Sequence, residues 1–557
     1  MKQFDVRLHH FKKLASIGIP LYLFVDPDYI SALTPLLEKY PHIHIFRALR
    51  LEETRTYALF AEHKERMPVV RNIQKDTFEF LTLIIAKTGF VAEVAAVNPE
   101  GTEQFAWIDF NVFHVFQNVP LQMERLRRIA KGRIVDDRVL MPSCWSAGYN
   151  RSELWSKINW RFCGGFFMGT RVAILDLDTR LSAVLPEWIR ANGITWEVNI
   201  WSHLENTTDW RPRGFPADHN DRLIAVPPEY FSNWSEIRTQ EFLLNDTVSC
   251  LGLHPSTVAS TSPIAIPLGE FQPSSSSFVV WKGQPLLNIR YVNYELTPQG
   301  AYIIHHPEGH LVTRNIFRSL DPVTMEQKGE AWEMETCVGL PSYGGKIHGL
   351  EDIRLYELKG CDGGERLRFI ATQREYVASQ VNRMMVGDVD VEGRRFVNGR
   401  VLEPPSPTGC EKNWIPLIGS DGQERFIYSW SPYRLGTVNE KGVFEVILEQ
   451  EMPPFFERIR GSTVPVEHDR FLWCIIHYSQ ETSPRTYFHA LVQLDPVTHI
   501  PLRYSQPFVF GRLGIEFCIG FAMQASGQLR FWFSQHDKDL ATLSVSAEAF
   551  VWSNIVV

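Results

Sequence analysis

The chain has 557 residues, a length that exceeds a single hydrophobic core and predicts roughly two to four domains. Its formal net charge of −8 and pI of about 6.2 argue against a nucleic-acid-binding protein, which is typically basic, so we expect no nucleic acid as a partner. Aromatic residues make up 12% of the chain, which favours a β-rich core over sugar-stacking surfaces, although both patterns use these residues.

The cysteines and the apolar segments bear on where the protein works. No two of the eight cysteines form a CxxC pair, so the pattern is not typical of a zinc site or a thioredoxin-like motif. Buried free thiols in a reducing compartment fit the pattern better. The first residues lack the apolar segment of a signal peptide, and the apolar run at 80–86 is too short to span a bilayer. We therefore expect a cytoplasmic protein with no transmembrane segment.

Residues 1–226 alternate between helical and strand patterns. Short apolar runs at 21–25 and 105–108 end at Asp26 and Asp109 and predict buried strands, whereas residues 71–87 have helical periodicity. This alternation is typical of an α/β domain with a mostly parallel sheet.

Residues 227–275 are rich in proline and end in a serine run, which predicts a linker between domains. From 276 to 557, short aromatic and β-branched runs recur between turn residues, and each is expected to form an inner strand of a repeating unit. These runs lie at 368–372, 425–430, 471–476 and 529–534. The recurrent positions Glu351, Glu411, Gly461 and Glu516 lie 60, 50 and 55 residues apart, a spacing that suits four-stranded propeller blades. The sequence thus predicts an all-β propeller of about five blades.

Polar motifs in the first domain predict a metal site for nucleotide-sugar chemistry. Asp109 and Asn111 follow the strand at 105–108, and an Asp-x-Asp-like pair at a strand end can hold a divalent metal that neutralises a leaving nucleoside diphosphate. His219, in the polar motif at 218–221, completes the predicted Mn²⁺ or Mg²⁺ site. Each motif alone is more typical of a turn, so the prediction depends on their occurrence together.

Three further motifs supply the remaining parts of this predicted site. Glu197 follows a helical pattern and is the candidate general base for an acceptor hydroxyl, with a solvated helix carboxylate as the alternative. Gly164 and Gly165 allow a ligand to approach the backbone closely, or else form a tight turn. The candidate contacts for donor phosphate or sugar are Arg71, Lys75 and Asp76.

Together these segments resemble the HtrL/YibB family of bacterial proteins, which are similar to GT-A glycosyltransferases. The resemblance covers roughly residues 10–226 and rests on residues 68–72, 75–77, 107–110, 163–167, 196–199 and 218–220. It implies an α/β GT-A-like domain in which the glycine-rich loop, the acid before the acceptor helix and the late histidine have the roles given above. With Glu197 as the base, the transfer would invert the anomeric centre.

The start of the domain departs from the GT-A pattern. That pattern opens with a β-strand that carries part of the nucleotide site, whereas this sequence opens with a helical pattern near residues 7–14. Its first strand pattern is at 21–25. The GT-A-like domain is therefore expected to be truncated at its first strand, or to bind its donor differently or not at all.

The predicted propeller carries clustered polar motifs at the blade spacing. The first strands of successive blades converge on one mouth of a central channel, so these residues are expected to meet. An acid would protonate a glycosidic oxygen and cations would hold phosphate, whereas salt bridges in blade turns are the alternative for each motif. The candidate residues are Arg290, Asp352, Arg354, Glu411, Lys412, Asn413, Arg460, His489 and Glu516.

This segment resembles the five-bladed propellers of the β-mannoside phosphorylase and hydrolase group and the related β-mannosyltransferases, over about residues 276–545. The matching motifs are Gly-x-Glu-Asp-x-Arg, Glu-Lys-Asn-Trp, Arg-Gly-Ser and Tyr-x-His. The resemblance implies that Asp352 is the catalytic acid, although Ile353 stands where the usual motif has proline. The implied phosphate or sugar contacts are Arg354, Lys412, Arg460 and His489.

Three functions fit these motifs. The favoured one is a glycosyltransferase that moves a sugar from a nucleotide-sugar donor to a glycan acceptor in bacterial surface-glycan synthesis, with the propeller as an acceptor-binding module or a second catalytic site. The second is a glycoside phosphorylase or transglycosidase in the propeller, with a degenerate first domain. The third is a non-enzymatic glycan-binding protein. A lipid-linked acceptor would bring the protein into peripheral contact with a membrane.

Overall fold

The computed structural model describes residues 2–145, 154–237, 248–259, 265–297, 301–359, 364–419, 421–480, 485–511, 513–524 and 526–555. Backbone contacts divide the chain into two compact units, Met1–Ser249 and Cys250–Val557. The first unit combines helices with short strands, whereas the second consists almost entirely of strands.

The described part of the first unit has eight α-helices and six strands, besides short 3₁₀ turns. The helices are α1 (Lys2–Ala15), α2 (Ile30–Lys39), α3 (Arg55–Phe60), α4 (Phe78–Val97), α5 (Val119–Ile129), α6 (Arg171–Asn192), α7 (Glu197–Thr207) and α8 (Trp234–Ile237). The strands are β1 (Leu21–Val25), β2 (Ile43–Ala48), β3 (Gln104–Ile108), β4 (Leu140–Ser143), β5 (Phe166–Thr170) and β6 (Arg213–Pro216). A further strand, β7 (Ser249–Cys250), lies at the boundary between the units.

The described residues of the first unit form two sheets. β1 and β2 pair in parallel around α2, and β1 has the bounds that the sequence predicts. The main sheet has the order β3-β5-β4-β6, in which β5 is antiparallel to β3 and β4, and only β4 and β6 are parallel. The expectation of a mostly parallel sheet is therefore wrong. The described residues between β4 and β5 form no helix, so they lack the crossover helix that usually joins parallel strands.

Helices α4 and α6 form the core of the first unit against this sheet. Each begins at a threonine that caps it: the Thr77 hydroxyl accepts from the Phe80 amide, and the Thr170 hydroxyl accepts from the Ala173 amide. The predicted helix at 71–87 thus begins only at Phe78. The preceding residues form a turn instead, because Asp76 accepts a hydrogen bond from the Asn72 amide at 3.0 Å.

Helix α4 is long and apolar enough to cross a membrane by length and composition. The apolar run at 80–86 is therefore part of a longer apolar helix than the sequence analysis assumed. Of its apolar window, 67% is buried inside the protein, as in the core helix of a globular domain. Burial against the main sheet accounts for its apolar character without a membrane.

The expected linker at 227–275 is divided between the two units where it is described. Phe231 forms a β-bridge with Ile134 in the first unit, and Ser232 donates its amide hydrogen to the Arg133 carbonyl oxygen. Residues from Cys250 onward belong to the second unit. Residues 238–247 and 260–264 lie outside the described residues.

The strands of the second unit run from β8 to β33, and β8 to β14 come first in the sequence. They are β8 (Val258–Ala259), β9 (Gln272–Trp281), β10 (Gln284–Val292), β11 (Tyr294–Leu296), β12 (Tyr302–Ile304), β13 (Leu311–Leu320) and β14 (Gln327–Cys337). The next are β15 (Ile347–His348), β16 (Glu351–Lys359), β17 (Glu365–Gln373), β18 (Arg383–Asp390), β19 (Arg395–Leu402), β20 (Ile415–Ile418), β21 (Glu424–Trp430), β22 (Tyr433–Val438) and β23 (Phe444–Gln450). The last are β24 (Arg460–Gly461), β25 (Val466–His468), β26 (Phe471–Gln480), β27 (Thr486–Leu494), β28 (Pro501–Ser505), β29 (Phe508–Val509), β30 (Glu516–Met523), β31 (Gln528–Gln535), β32 (Asp539–Ser546) and β33 (Trp552–Asn554).

These strands form five successive antiparallel sheets, the arrangement of a five-bladed propeller. The sheets are β9-β10-β13-β14, β16-β17-β18-β19, β20-β21-β22-β23, β24-β26-β27-β28 and β30-β31-β32-β8. The first two are joined at their last strands, where β14 pairs in parallel with β19. The predicted all-β propeller-like unit and its approximate blade number therefore agree with the structure.

Strand β8 closes the last sheet of the second unit. Although it precedes the first blade in sequence, it pairs antiparallel with β32 and supplies the fourth strand. This pairing satisfies a sheet edge that would otherwise be open. One expectation was wrong: the four aromatic runs lie in β17, β21, β26 and β31, which are the second strands of their sheets rather than the innermost ones. Their apolar and aromatic residues are mostly buried, as expected of strands that lie inside a sheet.

Candidate active site

Three of the residues predicted for the site of the first unit meet at one buried lysine. Lys87 on α4 donates to Glu197 Oε1 at 3.1 Å and to the Gly164 carbonyl oxygen at 2.9 Å. Its Nζ also lies 3.1 Å from Asp109 Oδ1, just beyond the end of β3. We call Lys87, Asp109, Gly164 and Glu197 the Lys87 cluster. The sequence analysis predicted three of these four residues but not Lys87.

Burial and the neighbouring charges have opposite effects on the pKa values of Lys87 and Glu197. Burial alone would lower the pKa of Lys87, but Asp109 and Glu197 outweigh it and raise that pKa. Burial raises the pKa of Glu197 above its ordinary value, although Lys87 partly offsets it. Gly164 has no room for a side chain, because a Cβ there would overlap Glu197 Oε1. Lys87 and Glu197 therefore form a buried ion pair, and Asp109 joins it with a partly exposed side chain.

The roles predicted for Glu197, Asp109 and Asn111 depend on free oxygen atoms. Glu197 is only 7% exposed and already accepts from Lys87, so an acceptor hydroxyl has little access to it. Asp109 Oδ1 accepts from Trp107 Nε1 at 2.7 Å and faces Lys87. A positive charge at that distance opposes a second cation, so these residues do not fit the predicted Mn²⁺ or Mg²⁺ site. Asn111 uses its backbone carbonyl to hold the His114 ring.

The other predicted donor contacts of the first unit lie in a turn. Asn72 accepts from the amides of Gln74 and Lys75, and the Arg71 guanidinium donates to the Pro68 carbonyl oxygen at 2.8 Å. Asp76 is buried and holds this turn together through the Asn72 amide. Gly165 lies beside Asp109, since a Cβ built on it would stand 3.7 Å from Asp109 Oδ2.

His219 takes part in a different group, with two thiols. Cys144 Sγ lies 3.0 Å from Cys163 Sγ, and a hydrogen bond links Cys144 with His219. The ligand atoms of these three residues all lie within 4.8 Å of one another. Hydrogen bonding by Cys163 lowers the pKa of Cys144 to about 7, and hydrogen bonding by Cys144 raises the pKa of His219.

A second polar cluster lies in the second unit and joins three of its blades with an adjacent loop. Arg290 on β10 donates to Asp352 Oδ1 at 2.8 Å and lies 3.7 Å from Glu351 Oε2. Lys412, just before β20, donates to Glu351 Oε2 at 3.3 Å. The charge of Asp537 acts on Arg290 and on Asp352 from the turn between β31 and β32. We call these five residues the Asp352 cluster.

Irregular backbone places these side chains. Arg290 lies where the β9–β10 register shifts, between Ile289 and Tyr291, and Asp352 lies in the bulge between Glu351 and Arg354. A bulge turns a side chain away from the alternation of a regular strand. Asp352 and Asp537 also have positive φ angles of 50° and 53°, so their backbones are locally strained or tightly turned. Distant parts of the propeller sequence therefore meet here.

The carboxyl groups of Asp352 and Asp537 have opposite environments. Burial would raise the pKa of Asp352, but the positive charges of Arg290 and Lys412 hold it below the ordinary value. For Asp537, burial and the negative charge of Asp352 outweigh Arg290 and raise the pKa. Asp537 accepts a hydrogen bond from the Tyr294 hydroxyl at 3.3 Å. A carboxyl group that retains its proton can act as a general acid, so Asp537 suits this role better than the predicted Asp352.

Arg354 holds the backbone of Asp352 in place through a hydrogen bond to its carbonyl oxygen. It is fully buried and donates to Asn413 Oδ1 at 3.0 Å, to the Gly461 carbonyl at 3.2 Å and to the Asp352 carbonyl at 3.2 Å. Burial lowers its pKa to about 10. Because its donors are used by protein oxygens, Arg354 positions Asp352 and does not fit the predicted role of a phosphate or sugar contact. Asn413, a candidate site residue, holds the Arg354 guanidinium.

Three predicted propeller residues lie in separate structural contacts. Glu411 accepts from Trp414 Nε1 at 2.9 Å, and Glu516 accepts from the Phe510 and Gly511 amides. His489 is fully buried beside aromatic rings, and neither ring nitrogen has a partner among the described residues. Burial lowers its pKa to about 3. Neither acid nor histidine fits the predicted sugar or phosphate contact.

Arg460 remains a candidate ligand contact. Its side chain is exposed, and its charge acts on Tyr487 together with that of Asp537. Lys412 is the other accessible cation, with 34% of its side chain exposed.

Lys87 and Asp537 were missed for different reasons. Lys87 interrupts an apolar helix, and a lone lysine in a buried helical face is a signal that it must be paired. Asp537 stands in a hairpin turn, between His536 and Lys538, and aspartate is so common in turns that its sequence carries no such signal.

No protein-family model and no curated protein matches the chain. Solved structures are similar to it at low identity. The β-1,2-mannobiose phosphorylase from Listeria innocua is 11% identical, with a TM-score of 0.35, over 53% of this chain and 97% of that one. A GDP-Man-dependent mannosyltransferase from Leishmania mexicana is 12% identical, with a TM-score of 0.32, over 55% of this chain and 93% of that one.

A third similar structure is a GH43_1 enzyme from Xanthomonas citri in complex with xylotriose. It is 8% identical, with a TM-score of 0.32, over 54% of this chain and 90% of that one. The resemblance of the first unit to the HtrL/YibB family and the GT-A fold stays a prediction.

Proposed function

We propose that the second unit is a carbohydrate-active enzyme of the glycoside phosphorylase type, with its active site at the Asp352 cluster. The observation that carries this proposal is the pair of aspartates with opposite environments, Asp352 ionised beside Arg290 and Asp537 with a raised pKa. Paired carboxyl groups of this kind are how glycoside chemistry separates its acid from its ionised partner.

Two accessible cations support phosphate as the attacking group. Lys412 belongs to the Asp352 cluster and has 34% of its side chain exposed. Arg460 is exposed, and its charge and that of Asp537 both act on Tyr487. Cationic side chains with free donors hold phosphate through charge-assisted hydrogen bonds.

The reaction balances with these groups. A phosphate oxygen, held by Lys412 and Arg460, attacks the anomeric carbon while the bond to the glycosidic oxygen breaks. Asp537 gives its proton to that oxygen, which leaves as a sugar hydroxyl, and regains a proton from the phosphate ester product or from water. Asp352 remains ionised and holds Arg290 in place, and its charge stabilises the positive character of the anomeric carbon.

Nucleotide-sugar transfer in the first unit is a second candidate. Its supporting observation is that Asp109 stands at a strand end beside Gly165 with 35% of its side chain exposed. Transfer there requires Lys87 to leave Asp109, or to stabilise the leaving diphosphate itself in place of a metal. In this second candidate the partners would be a nucleotide-sugar donor and a glycan acceptor.

The test compares two assays on the same variants. The full chain is incubated with a panel of β-linked disaccharides with and without inorganic phosphate, and release of sugar 1-phosphate is measured. In parallel, nucleotide release is measured over a panel of nucleotide sugars, with and without Mn²⁺. The variants are Asp537→Asn and Asp109→Asn.

Phosphate-dependent sugar 1-phosphate release that is lost in Asp537→Asn and kept in Asp109→Asn is the expected result. Sugar release that does not depend on phosphate would make the site a hydrolase and overturn the phosphate assignment. Nucleotide release that is lost only in Asp109→Asn would move the activity to the first unit.

A further inference from the structure

Three connections at one edge of the main sheet of the first unit bring two thiols and an imidazole together. Cys144 directly follows β4, Cys163 precedes β5, and His219 follows β6. Because β4 and β6 run parallel and β5 runs antiparallel to β4, the ends of β4 and β6 share an edge with the start of β5. The three side chains therefore converge although 75 positions separate Cys144 from His219 in the sequence.

The donor atoms form a compact set. Cys144 Sγ and Cys163 Sγ lie 3.0 Å apart, and one ligand atom from each of the three residues falls within 4.8 Å of the others. Asp218 adds a carboxylate: its Oδ1 lies 3.8 Å from Cys144 Sγ and 3.5 Å from His219 Nδ1. Two thiolates, an imidazole and a carboxylate are donors that zinc accepts in proteins.

We propose that Cys144, Cys163 and His219 bind one Zn²⁺ ion, with Asp218 orienting the His219 ring through its Nδ1. Three protein donors hold the ion and leave its fourth position to water or another ligand. The ion would join the ends of β4 and β6 to the start of β5. Cys163 directly precedes Gly164, so the ion would also fix the loop that holds Lys87. This proposal does not depend on the function proposed for the second unit.

The sulfur separation of 3.0 Å also allows a disulfide to be considered. A disulfide requires about 2.05 Å between the sulfurs, whereas two thiolates on a tetrahedral zinc lie about 3.8 Å apart, given Zn–S bonds of about 2.3 Å. The observed distance lies between the two, so it does not decide. The nearby imidazole and carboxylate favour a metal site over a disulfide, because a disulfide would leave both of these groups without a function.

The test measures the metal directly. The full chain is purified under reducing conditions without chelator, and zinc per chain is measured by elemental mass spectrometry. The chain is then stripped with a chelator and titrated with Zn²⁺ against a coloured competitor, and with Co²⁺ to look for sulfur-to-cobalt charge-transfer absorption. The variants are Cys144→Ser, Cys163→Ser and Asp218→Asn. The control is Cys337→Ser, which removes an exposed free cysteine of the second unit.

About one zinc per chain is expected in the wild type and in Cys337→Ser. The two other cysteine variants should lose the zinc and the sulfur-to-cobalt absorption, and Asp218→Asn should bind zinc roughly 10-fold or more weakly. Circular dichroism of each variant shows whether it has folded. If a variant is unfolded, thiolate ligation is judged from the sulfur-to-cobalt absorption of the wild type alone.

Two results would overturn the proposal. One is a wild type that binds no zinc and shows no sulfur-to-cobalt absorption, including the case in which mass spectrometry of alkylated peptides finds Cys144 joined to Cys163 by a disulfide. The other is zinc that remains bound in folded Cys144→Ser and Cys163→Ser.

Discussion

The two polar clusters differ in how their carboxyl groups are matched by cations. In the first unit, Lys87 serves both Asp109 and Glu197, and the Gly164 carbonyl takes another of its hydrogens. In the second unit, Asp352 is paired with Arg290, while Asp537 forms no ion pair among the described residues. A buried carboxylate that is paired with a cation contributes to the stability of the fold. One that is left unmatched is available for proton transfer.

Neutralising Asp537 should have the largest effect on activity. Asp537→Asn removes the proton donor, so we expect kcat for glycoside cleavage to fall by about 10²- to 10⁴-fold. Asp539→Asn, two positions away, is the matched control and should keep its activity. In the wild type, kcat/KM should fall as the pH rises through the raised pKa of Asp537, because the acid must be protonated to act. A pH profile with no such limb would remove Asp537 from the reaction.

The matched acids should instead report on stability. Lys87→Met leaves the buried Glu197 and the partly exposed Asp109 without their cation, and we expect the first unit to lose about 3–5 kcal/mol of unfolding free energy. Hydrogen exchange of peptides from α4 in increasing urea measures this loss without interference from the second unit. Lys75→Met, at an exposed lysine, is the control. An unchanged α4 in Lys87→Met would show that the cluster does not stabilise the core. Glycoside cleavage by the second unit should persist wherever the variant remains folded.

The same cluster can be disturbed without changing any charge. Gly164→Ala places a methyl group against Glu197 Oε1 and within 3.5 Å of Lys87 Nζ, so we expect a loss of about 1–3 kcal/mol. Gly409→Ala is the matched control, because no atom lies within 4 Å of a Cβ there. Thermal unfolding of the two variants compares them directly. Equal unfolding temperatures for the two variants would mean that the loop at Gly164 can move to accommodate the methyl group at no cost in stability.

The smallest effect concerns His489, a predicted ligand contact that the structure buries. Its folded pKa of about 3 lies below the unfolded value, so the unfolded state binds a proton first as the pH falls. The wild type should therefore lose about 2 kcal/mol between pH 6.5 and 5 through this residue. His489→Phe fits the surrounding aromatic rings and should remove that loss and retain activity. Urea unfolding at both pH values checks this, and a loss of activity at neutral pH would restore the binding role.

The sequence determined much of the architecture through local patterns. The apolar run of β1 and the aromatic runs of the second unit are short-range signals, since alternation and turn residues act within a few positions. The motif containing Asp352 was also found from sequence. Register and pairing were not, because the antiparallel entry of β5 and the closure by β8 depend on contacts between distant segments.

The candidate sites show the same limit more sharply. The sequence supplied Asp109, Glu197 and Asp352 as isolated acids, and only the tertiary structure revealed that Lys87 neutralises the first two and that Asp537 approaches the third. It likewise brought Cys144, Cys163 and His219 together without any CxxC spacing. A residue type fixes which protonation states and ligand atoms are available. The neighbours that folding supplies fix the pKa, the access and the partner, and these decide the chemistry.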